Sequence, residues 1–224
     1  GGEMQELDGY YISAEMLVRD FALVLQQLRK LPTGTPVLLD VKDVTGRFFY
    51  SSGLGPNHGR IDPTQVDALI KELCTGDLYA IARFPAFREY SFAVENVNYG
   101  LASTKGAYLY MDEGRCYWLN PTHEGTFSYL VQIVNELKAL GFDEVVFTDF
   151  CFPETSQIYF ESDKSQALAD TAKKLLATCS SDRFAVSFVS SAGFTLPEGR
   201  SRLYLQNVAA ADLATVAAGT GIAD

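Results

Sequence analysis

Residues 141–153 read GFDEVVFTDFCFP, an apolar strand that runs into a carboxylate, and they follow directly on a helical stretch at 125–140. Helix, tight glycine turn and buried strand make up the repeating unit of α/β folds, whose parallel strands read as nearly unbroken apolar runs. In such folds the polar groups that do chemistry sit where strands stop. Asp149 stands at such a place. A carboxylate at the exit of a buried strand costs free energy unless it is paired, hydrogen-bonded or solvated, so a loop cap, a buried ion pair and a reactive group are the competing explanations.

The alternation extends along the chain. Leu17, Phe21, Val24, Leu28 and Leu31 form one helical stripe that Pro32-Thr33-Gly34 ends. Strands are expected at 9–12, 37–41, 78–83, 145–149, 185–189 and 203–206. Pro63 starts a helix lined by Val66, Leu69, Ile70 and Leu73. Phe127, Leu130, Val134 and Leu137 line another, and Leu168, Thr171 and Leu175 mark a third. An Ala-rich helix is expected at 209–218. Consecutive right-handed βα units give a doubly wound sheet or a barrel. No Gly-rich phosphate loop follows the first strand, which favours the barrel. Six strands are short of eight, so the expected fold is an incomplete TIM-like (β/α) barrel, either with its last units missing or open on one side.

One domain spans residues 1–224, with an insertion at about 85–121 after the third strand. Within it, Asp112-Glu113-Gly114 separates two aromatic-rich extended runs, which predicts a hairpin over 107–120 lying across the strand C-terminal ends. Loops of this length are usually functional.

With 28 acidic against 18 basic residues the net charge is −10, and no basic cluster is present. Nucleic acid and anionic membrane are therefore poor partners. No apolar run approaches a membrane span, and the opening Gly1-Gly2-Glu3 suggests that the natural N-terminus has been removed. Cys74, Cys116, Cys151 and Cys179 are scattered without metal-type spacing, so neither a metal nor a cofactor is expected, and packed free thiols are the default reading. His58 and His123 lack a partner at a recognisable spacing, and residues 190–193 read as a loop rather than a nucleophile elbow.

Alternation along strands puts residues two apart on one face. Asp40 and Lys42 share a face with Leu38, Arg83 with Ile81, Thr148 with Val146, and Gln206 with Tyr204. If that face is the barrel interior, Asp40, Lys42, Arg83, Thr148 and Gln206 meet at the C-terminal mouth, while Asp149 joins them only if the strand bulges. A bulge would place cations beside Asp149 and lower its pKa. Charges of both signs there suit recognition of a sugar, carboxylate or phosphate, or else a structural ion-pair plug. Loop aromatics, Trp118 among them, suit saccharide faces, though hairpins also need aromatic cross-strand pairs.

The runs VLLDVKDVTG (37–46), YWLNP (117–121) and GFDEVVFTDFCFP (141–153) resemble, in order, motifs of the bacterial putative glycosyl hydrolase domain family, relatives of the α-amylase type of (β/α)8 barrel. The resemblance covers about residues 9–224. It implies a glycan-hydrolysing barrel with carboxylates at its mouth. The family's fourth-strand Asp falls here on Thr148, with the carboxylate one residue later at Asp149, and the family's Arg before Phe-Pro is Cys151.

The expectation that follows is a glycoside hydrolase, secreted or attached to a bacterial surface, acting on a bacterial or dietary glycan. Asp149 would be nucleophile or base, Glu89 the acid, and Asp40 an orienting group. Lys42, Asp43, Arg83, Thr148, Gln206 and Trp118 would contact substrate. Asp43 and Glu154 are further carboxylates past strand ends. The alternative is a non-catalytic saccharide- or cell-wall-binding barrel with a degenerate site.

Overall fold

The computed structural model describes residues 9–106, 108–191, 194 and 196, with the strand backbones at 203–206 and 213–214. Among the described residues seven strands form one sheet in sequence order: β1 (Tyr10–Ile12), β2 (Pro36–Asp40), β3 (Tyr79–Pro85), β4 (Glu144–Thr148), β5 (Ala185–Ser190), β6 (Leu203–Gln206) and β7 (Leu213–Ala214). β1 to β6 pair in parallel, each with its sequence neighbour. Helices α1 (Ala14–Arg19) and α2 (Phe21–Leu28) return the chain from β1, α3 (Pro63–Thr75) from β2, α4 (Ser91–Glu95) and α5 (Glu124–Leu140) from β3, and α6 (Lys164–Cys179) from β4. This is an α/β fold and a partial TIM-like barrel.

Local chemistry fixes the units. Asp62 caps α3 through the Thr64 N–H, and Pro63 fills the first helical position, where no N–H is needed. Gly141 ends α5 in the left-handed region (φ 102°), its N–H satisfying the Leu137 and Lys138 carbonyls. Asp143 then locks the turn to β3, accepting the Ala80 N–H at 2.8 Å while its own N–H reaches the Ala80 carbonyl.

The sheet is buried on both faces. Val37, Leu39, Ala82, Phe84, Val145, Phe147, Val186 and Phe188 pack in the main core with the helix stripes. Leu38, Ile81, Val146 and Val189 form a separate cluster on the other face, which is the interior of the partial barrel.

Two expectations are overturned. The stripe from Leu17 to Leu28 is broken at Asp20 (φ −133°, ψ 37°), which closes α1 and opens α2, so the apolar periodicity spans two short helices. Leu213–Ala214 is a strand antiparallel to β6, where an Ala-rich helix was expected. Alanine propensity there yields to sheet pairing. The rest of that stretch lies outside the described residues.

The insertion after β3 pairs just beyond that strand's C-terminal end. Its turn at 112–115 is closed by the Asp112 N–H to the Cys116 carbonyl and by the Met111–Tyr117 bridge. Trp118 and Leu119 pair back on Arg88 and Phe87. It takes the form of isolated bridges rather than a continuous ladder.

Candidate active site at the strand ends

Register decides which side chains meet. Asp40 pairs with Arg83, Arg83 with Val146, and Pro85 with Thr148, so Asp40, Arg83 and Thr148 share the interior face. Arg83 Nη1 donates to Asp40 Oδ1 at 3.2 Å and to the Tyr11 hydroxyl at 2.6 Å, and that hydroxyl donates to Asp40 Oδ2. Burial raises the Asp40 carboxyl above its ordinary value despite Arg83 and Tyr11.

At the end of β4 the backbone leaves the strand at Asp149, whose φ of 51° lies in the left-handed region. Asp tolerates that region better than most residues, and such local strain is often kept at functional sites. The departure frees Asp149 from strict alternation. The Thr148 hydroxyl donates to Asp149 Oδ2 at 3.3 Å. Burial raises the Asp149 pKa, opposed by the charges of Arg88 and Arg83 and reinforced by that of Asp112. The expected lowering by cations is thus reversed: desolvation of this half-buried carboxyl outweighs two guanidinium groups that do not pair with it.

Arg88 is committed elsewhere. Its Nε and Nη2 grip Asp112 at 2.7 and 3.2 Å, and Asp112 also accepts the Trp118 indole N–H at 2.8 Å and the Cys116 N–H at 3.0 Å. Burial pushes the Asp112 carboxyl up, but these bonds prevail and leave it below its ordinary value.

Residues 10–192 match the family described as "Putative glycosyl hydrolase domain". The chain belongs to that family. Among the curated proteins, none matches the sequence. This glycosyl hydrolase-family domain is similar to a hypothetical protein from Ruminiclostridium thermocellum, with a TM-score of 0.67, 18% identity, and coverage of 80% of this chain and 96% of that one. It is also similar to the α-galactosidase of Thermus thermophilus in complex with p-nitrophenyl α-D-galactopyranoside (TM-score 0.58, 15% identity, 82% of this chain, 37% of that one). A third likeness is to α-L-fucosidase isoenzyme 2 of Paenibacillus thiaminolyticus (0.51, 11%, 78% and 29%). At these identities the likeness is one of fold, and the domain spans roughly a third of each glycosidase.

Several expected site residues of the glycosyl hydrolase-family domain do other work. Glu89 is fully buried and paired to the equally buried Lys42 at 2.7 Å, and it accepts the Tyr129 hydroxyl at 2.7 Å. It cannot serve as the acid at an open mouth, and Lys42 is not available to substrate. The strand ends at Asp40, so strict alternation no longer governs Lys42. Trp118 is 6% exposed with its N–H spent on Asp112, so it is a strut rather than a sugar platform. Asp43 closes its own loop, accepting the Thr45 and Arg47 N–H groups, with His58 Nε2 at 3.7 Å. Gln206 holds the β6 position two residues after Tyr204, which pairs with Val189; its side chain lies outside the described residues. Glu154 is exposed on the loop after β4.

Tyr11, Arg88 and Asp112 were not singled out from sequence. Arg88 and Asp112 are 24 residues apart, and no periodicity links a post-strand loop to a hairpin tip. Glu144 is fully buried at the start of β4, accepting the Tyr79 and Ser187 hydroxyls at 2.8 Å each. Its place two residues before Val146 and four before Thr148, on the same strand face, was the available signal. Among the described residues no group of three or more His, Cys, Asp or Glu could hold a metal ion, and no helix is long and apolar enough to cross a membrane.

Proposed function

We propose that this glycosyl hydrolase-family domain cleaves a glycosidic bond at its C-terminal mouth, with Asp149 as the proton donor. The observation that carries this reading is Asp149 itself: it leaves β4 in a left-handed conformation and has no ion pair among the described residues. Its carboxyl is held above the ordinary range. A carboxyl that holds its proton more tightly than usual can give it to a leaving oxygen while water forms the new bond at the anomeric carbon, which suits the acid role better than the nucleophile role. Arg83 and Arg88 border it with positive charge, and Asp40 and Tyr11 extend the polar surface that hydroxyls would meet.

A second reading is favoured by the commitments of the neighbouring carboxylates. Asp112 has four bonds to Arg88, Trp118 and Cys116, Asp40 is held by Arg83 and Tyr11, and Thr148 stands where the resemblance places a carboxylate. On that reading the mouth binds saccharide without turning it over. Reducing-sugar release and gel retention on one panel of bacterial and dietary glycans separate the two. Hydrolysis requires release by wild type and a loss of about 10²–10⁴-fold in Asp149→Asn. Retention without release by either protein selects the binding reading. A bacterial cell-surface or extracellular setting belongs to both.

A further inference from the structure

A cleft of about 420 Å³ opens between the N-terminal ends of α5 and α6, outside the barrel. Its volume falls in the range of about 300–1,000 Å³ typical of small-molecule sites. Phe127 and Phe160 supply aromatic walls, and Asp163, Gln166, Asp170 and Lys174 supply polar groups. Phe160 packs against Phe152 at 4.5 Å, and the Lys174 ammonium sits 4.7 Å from the Phe127 ring centre. The Gln166 side-chain amide donates to Asp170 Oδ1 at 2.9 Å, while Asp163 Oδ1 accepts the Gln166 N–H at 2.9 Å. None of Asp163, Asp170 and Lys174 has an ion pair among the described residues, so each keeps bonding capacity toward a ligand.

We infer that this cleft is a second saccharide-binding site, which holds a further stretch of the glycan engaged at the mouth. Two carboxylates against one ammonium disfavour an anion. Ring walls beside closely spaced donors and acceptors match sugar rings, whose C–H faces pack on aromatics while their hydroxyls both donate and accept. The cleft is tied to the mouth by one loop. Residues 150–162 join Asp149 to Asp163, the cap of α6, contributing Phe160 and Ser162 to the cleft on the way. Both helices begin on the side where the strands end, which puts the cleft and the mouth at the same end of the fold. The inference rests on the glycan-active reading of the mouth.

The test is affinity gel electrophoresis in soluble galactomannan, xylan, β-glucan and solubilised peptidoglycan, which needs no turnover. Two cleft variants with exposed side chains are compared with wild type: Gln166→Trp, which fills the cleft, and the double variant Asp170→Ala/Lys174→Ala, which strips its polar groups. Circular dichroism checks folding. In at least one polysaccharide, both variants are expected to bind at least fivefold more weakly, while Asp149→Asn keeps the cleft's share of retention. Retention equal to wild type in both folded variants overturns the inference, as does absence of wild-type retention in every gel. Displacement of the polysaccharide by millimolar inorganic phosphate through Lys174 would also overturn it, by making the cleft an anion site. Failure of hydrolysis alone, with cleft-dependent retention intact, counts against the mouth reading and leaves this one standing.

Discussion

Lys42 Nζ lies 2.7 Å from Glu89 Oε1, and neither side chain is exposed to solvent. Tyr129 of α5 donates to the same oxygen, and Phe92 stacks on the Tyr129 ring at 3.7 Å between centroids. The pair therefore fastens the loop after β2 and the loop after β3 to the helix behind them. Both loops border the mouth, so the ion pair acts on the site through the walls it holds.

Removing one partner of this pair should cost far more stability than an exposed salt bridge would. Glu89→Ala leaves a buried ammonium without its counter-charge, and a loss of about 3–5 kcal/mol is expected. Glu89→Leu combined with Lys42→Met should recover much of that, since no charge remains buried. Urea unfolding curves of the three proteins measure it. If Glu89→Ala unfolds like wild type but loses turnover, Glu89 is a catalytic group after all.

Asp149 gives stability a definite slope with pH. Burial holds its folded-state pKa above the unfolded value, so between the two the native state binds more protons. Its contribution is present in full below about pH 3.9, the ordinary carboxylate pKa, and is lost as pH rises through the folded value. Asp40, also raised by burial, adds a slope of the same sign. Asp149→Asn should therefore be more stable than wild type at neutral pH, with the difference shrinking toward pH 4. Asn tolerates the left-handed backbone, which keeps the comparison clean. Thermal melts from pH 4 to 8 measure it, and a difference that grows on acidification would contradict the assignment.

The barrel was legible because apolar runs and Gly or Pro turns are local signals: the helix cap at Gly141 and the strand behind it lie within a few residues of each other. The position of Asp149 at a strand exit was legible for the same reason. Its orientation and charge state were not. Orientation depends on one backbone angle after Thr148, and the raised pKa depends on how closely distant loops enclose it. Glu89 and Trp118 show the same limit from the other side. An acid or an indole on a long loop looks available until the partner that occupies it, Lys42 or Asp112, is brought in from elsewhere in the chain.

Gly46 should resist replacement for two separable reasons. Its φ of 87° suits glycine, and a Cβ there would collide with Glu89 Oε2 and Ser91 Cβ. Gly34 has a similar φ of 80° but, among the described residues, no atom within 4 Å of its Cβ position. Gly34→Ala should thus cost only the backbone strain, about 1–2 kcal/mol. Gly46→Ala should cost more, because the buried ion pair must move. Equal losses in denaturant titrations would show that Glu89 yields freely.

The four cysteines should all titrate as free thiols, but only after unfolding. Each is unbridged, and burial pushes every thiol up, Cys74 and Cys116 to about 12. The thiolate is the reactive form, so at pH 8 the native protein should react slowly with a disulfide reagent at every position. Cys151 is the informative case, because it lies beside Asp149, whose charge raises its pKa further. Mass mapping of alkylated peptides should return four modified cysteines in denaturant and little modification in the native state. Fast native labelling at Cys151 would mean that the wall beside Asp149 opens to solvent, and the burial that raises the Asp149 pKa would then have to be reconsidered along with its role as proton donor.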